Sequence, residues 1–595
     1  MRRGCPGIVL LPLALLALAA VANAWDKETL DALAAVPVQD DGRVKPLSTY
    51  ARFELLKLSG RTTCKDAEGR KMRAIQWLAD ALFFPKRAMS HEIFLIQSSA
   101  VTDALSLHVE GKRVRDRYSF RELEPAIVKL AQLETEYSTI PVDERSQTQN
   151  QLVNLAHNVY EAHLLMAYLD VAREALGAAP ERDAESVLVD LPPELFGPAS
   201  RAVMLALFPP SSGEERETWL TAADVLTGVG SQEDVALLAS FMALVRLTDN
   251  TGAFRRQLAA FRQEVMARAE ARGQGGHIQL EVLFYRLNLV SRSFIAYLVS
   301  FLLVALSWLA PRRRWLSRLA LAALSVAVLL LVAGIVLRCI IRGRPPVTTL
   351  YETILFTTAV AVAVALFIEW VNHRRIALSV GTVLGVLGMF LANRYEAKEG
   401  ADTMPSMVAV LDTNFWLTMH VTTIIMGYAA GLLAAALGHV YVFGRVLRIR
   451  AKDAQLYATI TRMTYGVLCF GLLFSITGTV LGGVWANESW GRFWGWDPKE
   501  NGALMICLWL LALLHARAAG YIRELGLNVG AVFGGMVLAF SWWGVNLLGV
   551  GLHSYGFTSG TLNILIVFYV IEALVLWTGL GVWWRERRER PTNQV

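Results

Sequence analysis

Trp485-Ala486-Asn487-Glu488-Ser489-Trp490-Gly491-Arg492-Phe493-Trp494-Gly495-Trp496-Asp497-Pro498-Lys499-Glu500 separates two long apolar runs, and five aromatic rings crowd its first twelve residues. Gly491 and Gly495 interrupt the rings and Asp497-Pro498 ends them, so the stretch reads as a polar loop carrying an aromatic platform, neither a membrane span nor a regular amphipathic helix. Residue types alone leave two readings open. The rings are either an interfacial belt, where indole meets both lipid and water, or a site for a flat aromatic or macrocyclic ligand. A belt gives no reason for Gly, Asp, Lys and Glu to be crowded among the rings.

The apolar runs on either side decide the fold class. From Ser293 onward about nine runs of spanning length follow one another, near 293–310, 316–338, 353–371, 378–393, 417–443, 463–484, 501–518, 529–552 and 562–584. The chain of 595 residues is 54% hydrophobic and only 18% charged, which excludes an ordinary soluble multidomain protein. The expected architecture is all-α: a polytopic helical membrane protein with an N-terminal, mostly helical exported domain. The expected segments are a signal peptide or anchor over 1–24, the exported domain over 25–288, a first transmembrane hairpin over 289–350, a transmembrane core over 351–584 and a basic tail over 585–595.

The formal charge of +6 could suggest nucleic acid, but its distribution argues for topology instead. Arg312-Arg313-Arg314, His373-Arg374-Arg375, Arg445 to Lys452, Arg517 to Arg523 and Arg585 to Arg590 fall in short connections or the tail, where the positive-inside rule places cytoplasmic loops. No nucleic-acid partner is expected, and membrane lipid is. With nine crossings the C-terminus is cytoplasmic. The N-terminal domain, the tryptophan loop, 342–352 and 394–416 lie outside a bacterial cytoplasmic membrane.

Met1-Arg2-Arg3, the apolar stretch Ile8 to Ala20 and the small-residue site Ala22-Asn23-Ala24 have the three parts of a secretory signal, with cleavage expected before Trp25 or an uncleaved anchor as the alternative. The exported segment alternates helical patterns with Pro/Gly breaks. His157 and His163, six residues apart, make a poor ligand pair on one helix face, so packing or surface roles are expected. Cys5, Cys64, Cys339, Cys469 and Cys507 form no CxxC and no CxxCH, which excludes a dithiol oxidoreductase motif and a covalently carried c-type haem.

Histidines inside spanning runs are candidates for function, since an ionisable group there is costly. His420 and His553 each sit at the outer end of a run, flanking the tryptophan loop; His515 and His439 sit toward the other side. Taken singly, each imidazole is read as hydrogen-bonding at an interface.

Trp490-Gly491, Trp494, Trp496-Asp497-Pro498 and Lys499-Glu500 resemble, in order and spacing, the tryptophan-rich "WWD" signature of the haem-handling membrane proteins of cytochrome c biogenesis, the superfamily of CcsA, CcmC and CcmF. The resemblance is to the CcsA type, covers roughly residues 340–585, and departs from it at Asn501-Gly502, where relatives more often carry an aromatic residue. It implies that haem b is held non-covalently, as a substrate, on Trp485, Trp490, Gly491, Trp494, Trp496 and Asp497, with His420 and His553 as axial iron ligands. It implies an inner haem site at His515, whose second ligand comes from a ResB/CcsB-like membrane subunit, or from His439 of this chain. Arg342, Arg344, Arg492 and Lys499 are candidates for the haem propionates, with ordinary interfacial charge as the alternative. The implied activity is that of a cytochrome c haem lyase subunit joining haem to the CxxCH cysteines of exported apocytochrome c. A CcmC-like haem transporter is the other reading. No residue of the chain is needed as a nucleophile. Asp497-Pro498 is expected to cap the following helix.

Overall fold

A computed structural model describes residues 25–142, 144–175, 205–211, 216–406, 415–450, 453–548, 550 and 561–588. The leader at 1–24 and His553 lie outside these residues. Two compact units emerge: one runs to Leu283 and includes Ala397–Asp402, the other comprises Phe284–Glu396 and the residues from Thr403 onward.

The first unit is mostly helical, as expected, with a minor β component. Strands β1 (Pro37–Asp40), β2 (Arg43–Pro46), β3 (Thr63–Lys65), β4 (Lys71–Arg73), β5 (Phe94–Ile96), β6 (Asp116–Tyr118), β7 (Ala206–Phe208) and β8 (Leu220–Thr221) form one sheet of order β2-β1-β7-β8 and two hairpin pairs, β3-β4 and β5-β6, all antiparallel. Each has only two to four residues, too few for an alternating pattern to register in the sequence. Asp41 and Gly42, at φ 50° and 70°, turn β1 into β2 as a two-residue hairpin requires. From β2, Arg43 reaches Glu281 at 2.6 Å and Asp402 at 2.7 Å, while Lys45, 2% exposed, reaches Asp402 at 2.8 Å. Burial alone would raise the Asp402 pKa; Lys45 and Arg43 override it and hold the carboxyl well below the usual range. The helices Gln232–Arg246 and Thr251–Ala271 close the core with phenylalanines in contact, Phe241 and Phe261 having centroids 4.9 Å apart with their rings tilted by 45°.

His163 is 1% exposed and stacked on Phe120, a packing role, whereas His157 is exposed beside Glu134. Burial pushes the His163 pKa down to about 4. Its ordinary value is ~6.5, so its contribution is complete above that pH and is lost as the pH falls toward the folded value. Acidification to about pH 5 is expected to remove ~2 kcal/mol of local stability, and His163→Phe to remove most of that sensitivity. Hydrogen exchange in Gln147–Ala175, corrected for its intrinsic pH dependence, checks this.

In the second unit, among the described residues, nine helices are long and apolar enough to cross a membrane. They are α1 (Leu289–Leu309), α2 (Arg314–Arg342), α3 (Leu350–Asn372), α4 (Ile376–Glu399), α5 (Phe415–Val446), α6 (Ala454–Trp490), α7 (Pro498–Ala518), α8 (Glu524–Trp542) and α9 (Thr561–Arg588). The shortest, α8, has 19 residues and rises about 28 Å, and with the turn that carries the span to Leu548 it suffices for a hydrocarbon core of ~30 Å.

Helix α5 is central, packed against α3, α6, α8 and α9. Lipid offers no hydrophobic gain for helix association, so close approach at small residues must supply it. A Cβ at Gly427 of α5 would lie 2.5 Å from Ser475 Oγ, and one at Gly478 of α6 would lie 2.7 Å from the Ile424 backbone. Polar contact adds to this: buried Asn528 of α8 donates to Thr461 Oγ1 at 3.0 Å and accepts from Thr464 Oγ1 at 2.9 Å.

Candidate functional site

The aromatic stretch is half helix, which corrects its reading as a loop throughout. No residue in 485–490 breaks the helix, so α6 runs on to Trp490, and Gly491 at φ 70° ends it as a left-handed cap. The loop proper is 491–497. Asp497 then caps α7, with Pro498 in the first turn. The Asp497 carboxylate accepts from Lys499 N at 2.8 Å, while Glu500 Oε2 accepts from Gly495 N at 2.8 Å and Asp497 N at 3.1 Å. The capping role expected for Asp497 is what the structure has.

Trp485 therefore lies on a helix face, 3% exposed, with its ring parallel to the His420 imidazole at 6.3 Å and 8°. Trp490 packs edge-on against Trp485 at 4.7 Å. These elements border a cavity of about 690 Å³, within the ~300–1,000 Å³ range of sites for small molecules and cofactors. Its walls come from α2 and the turn after it (Arg342, Thr348), α5 (His420, Tyr428), α6 (Thr479, Gly482, Trp485), the loop (Phe493, Trp494), α7 (Lys499, Glu500) and the end of α8 (Trp542, Trp543, Asn546). The connections after α2, α4, α6 and α8 thus meet at one end of the bundle.

His420 is the one described histidine on that wall. Its Nδ1–H donates to the Gly478 carbonyl at 2.7 Å. A carbonyl can only accept, so a neutral ring is held in the tautomer whose lone pair is on Nε2, the arrangement that presents an imidazole as a metal ligand. Room for the ring comes from Gly482, where a Cβ would lie 2.7 Å from its Cε1.

The other expected residues divide. Trp485, Trp494, Arg342 and Lys499 border the cavity, and Lys499 Nζ donates to the Trp542 carbonyl at 2.7 Å and to Asn546 Oδ1 at 3.0 Å. Trp490, Gly491, Asp497, Arg344 and Arg492 stand outside its lining. Trp496, at φ 58° and 69% exposed, packs edge-on against Trp494 and is also outside.

His515, in the last turn of α7, is exposed, its Nδ1–H donating to Leu511 O at 2.8 Å. His439 has both ring nitrogens engaged, Nδ1 with Ala435 O at 2.8 Å and Nε2 with Glu572 of α9 at 3.2 Å. Sequence reasoning missed Tyr428, Phe493, Trp542, Trp543 and Asn546. The signal for two of them was the consecutive pair Trp542-Trp543 closing a span at the same end as the tryptophan loop.

The family model described as cytochrome C assembly protein matches residues 321–553. The cytochrome c biogenesis protein CcsA of Synechococcus sp. (strain CC9902) is 32% identical over 259 residues, 39% of this chain and 84% of the relative. That of Parasynechococcus marenigrum (strain WH8102) is 30% identical over 294 residues, 45% of this chain and 96% of the relative. Among solved structures, cytochrome c heme lyase CcmF is similar over 50% of each chain at 19% identity with a TM-score of 0.34, too low to carry an argument. With most of a CcsA relative aligned at this identity, the chain belongs to the CcsA family of cytochrome c biogenesis proteins.

Proposed function

We propose that the cavity is the haem-handling site of a cytochrome c haem lyase subunit. The observation that carries this reading is His420, presented to an aromatic-walled cavity with its Nδ1 fixed on Gly478 O. Haem b is the substrate. His420 and, from the segment outside the described residues, His553 are its axial ligands; Trp485 and Trp494 wall the macrocycle. Trp490, Gly491, Trp496 and Asp497 support the platform. Arg342 and Lys499 face the propionates, and Arg344 and Arg492 stand farther back.

The protein's part in the chemistry is positioning. Each CxxCH thiol of apocytochrome c adds across a haem vinyl double bond. Sulfur bonds one vinyl carbon and the thiol hydrogen goes to the other, with no leaving group and no net oxidation.

The cavity opens outside a bacterial cytoplasmic membrane and the tail lies inside, a reading that the basic ends of the helices support. His515 belongs to an inner haem site facing a ResB/CcsB-like subunit, its exposure leaving it accessible to such a partner. The Glu572 contact of His439 favours a separate subunit over His439 as the second ligand.

Co-expression of the full chain with a ResB/CcsB-like subunit and an apocytochrome c tests the reading. Covalent holocytochrome is expected, and none when this chain is omitted. Haem-loaded chain without any thioether product would point to a haem transporter of the CcmC kind and overturn the lyase assignment.

A further inference from the structure

Between the last turn of α2 and the first turn of α3 the chain brings Arg338, Arg342 and Glu352 together, each with a side chain no more than 5% exposed. Glu352 Oε1 accepts from Arg338 Nη2 at 2.9 Å and Nε at 3.3 Å, and lies 3.4 Å from Arg342 Nη1. Glu352 Oε2 accepts from Thr348 N at 3.0 Å and Thr348 Oγ1 at 2.6 Å. Local sequence explains the convergence. Thr349 caps α3, its Oγ1 accepting from Glu352 N, which turns the Glu352 side chain back over the preceding residue.

The two arginines then part company. Arg338 is turned to Thr403, donating to its hydroxyl at 3.0 Å and its carbonyl at 2.6 Å, and does not line the cavity. Arg342 donates to Thr348 Oγ1 at 2.9 Å and to the Pro405 carbonyl at 2.6 Å, and stands on the cavity wall with Thr348. One carboxylate shared by two guanidiniums neutralises one charge, so these three groups together carry a single positive charge, with Arg342 as the member at the cavity.

We infer that Glu352 is a positioning residue: with Thr348 it fixes the Arg342 guanidinium at the wall, and thereby makes the site select ligands with free carboxylates over the same ligands with those carboxylates blocked. A long arginine side chain left loose would lose its rotamer freedom on binding an anion, whereas one already held loses little. The planar fork also matches a carboxylate only when it is correctly oriented. This rests on the haem reading above, because the carboxylates in question are the propionates.

The test titrates ferric haem b and its dimethyl ester into the purified full chain. The wild type is expected to favour the free diacid by about tenfold, the order expected for one charge-assisted contact. Glu352→Gln and Thr348→Val are each expected to reduce that preference below about threefold, and Glu352→Gln, outside the lining, to leave the affinity for the dimethyl ester within about twofold of wild type. Glu352→Gln leaves Arg338 buried without its carboxylate and is the variant at risk of misfolding. Thr348→Val keeps the Arg338–Glu352 pair and decides the matter if the first does not fold. Equal weakening of both ligands would overturn the inference, reducing Glu352 to a structural role. So would a wild type that binds both ligands equally well, which leaves the haem reading standing. Binding of neither ligand by the wild type would overturn the haem reading itself.

Discussion

Replacing His420 with alanine is expected to abolish holocytochrome formation and to weaken haem binding by more than about 100-fold, since loss of an outer-shell partner alone typically costs about 10–100-fold in metal affinity. One feature sets His420 apart from the other described histidines: it borders the cavity. There its Nδ1–H is committed to Gly478 O and its ring lies parallel to Trp485. Alanine removes the Nε2 lone pair while leaving α5 and its glycine contacts in place. The chain should therefore still fold, which separates loss of ligation from loss of structure. His420→Gly supplemented with free imidazole is the complementary measurement, and recovery of the low-spin haem spectrum is its expected result. Haem affinity unchanged in His420→Ala would remove this residue from the site.

Valine at position 482 is expected to act nearly as strongly, although Gly482 makes no bond to any ligand. A Cβ there would lie 2.7 Å from His420 Cε1, 2.8 Å from Nδ1 and 3.2 Å from Nε2, closer than side-chain atoms pack. Gly482 belongs to α6, which also carries the Gly478 carbonyl, so the ring cannot retreat and keep its hydrogen bond. The imidazole must swing away, losing both its tautomer and its pose. Overpacking of this kind costs typically ~1–3 kcal/mol, less than is needed to dismantle the bundle. Gly466→Val on the same helix is the control, because a Cβ there would meet nothing within 4 Å. Haem titration should show the first variant losing most of its low-spin haem and the second retaining it. Full retention in Gly482→Val would mean that His420 is not held where its hydrogen bond places it.

How much of this could be read from the sequence depended on the length scale of each signal. Spanning helices announce themselves over some twenty residues of hydropathy, and all nine expected runs have a described helix. The Asp497-Pro498 start of α7 was equally legible, because side-chain capping is a local matter. The aromatic stretch misled at its first half. Many rings and polar residues suggested a loop, yet nothing before Gly491 forbids helix, and the last turns of α6 carry Trp485 onto the cavity wall. Strands of two to four residues in the first unit leave no periodicity to detect. Arg43 and Lys45 pair with Asp402, hundreds of residues away in the chain, a contact that no local pattern encodes.

The cavity shows the same limit. His420, Trp485, Trp494, Lys499 and Arg342 were legible through a motif, a buried charge or a family pattern. Trp542 and Trp543 offered only their adjacency as a signal, and Asn546 offered none, because it joins the site only through the packing of α8 beside α7. Lys499 makes the point in one side chain: its ammonium donates to the Trp542 carbonyl and to Asn546 Oδ1, both from that distant segment.

The central claim is that the cavity at His420 holds haem b, and the reduced absorption spectrum of the purified full chain, prepared with a ResB/CcsB-like subunit, tests it most directly. Stoichiometric low-spin haem b that turns high-spin or disappears in His420→Ala is the predicted result. No haem in the intact chain, or a spectrum indifferent to His420→Ala, would contradict it.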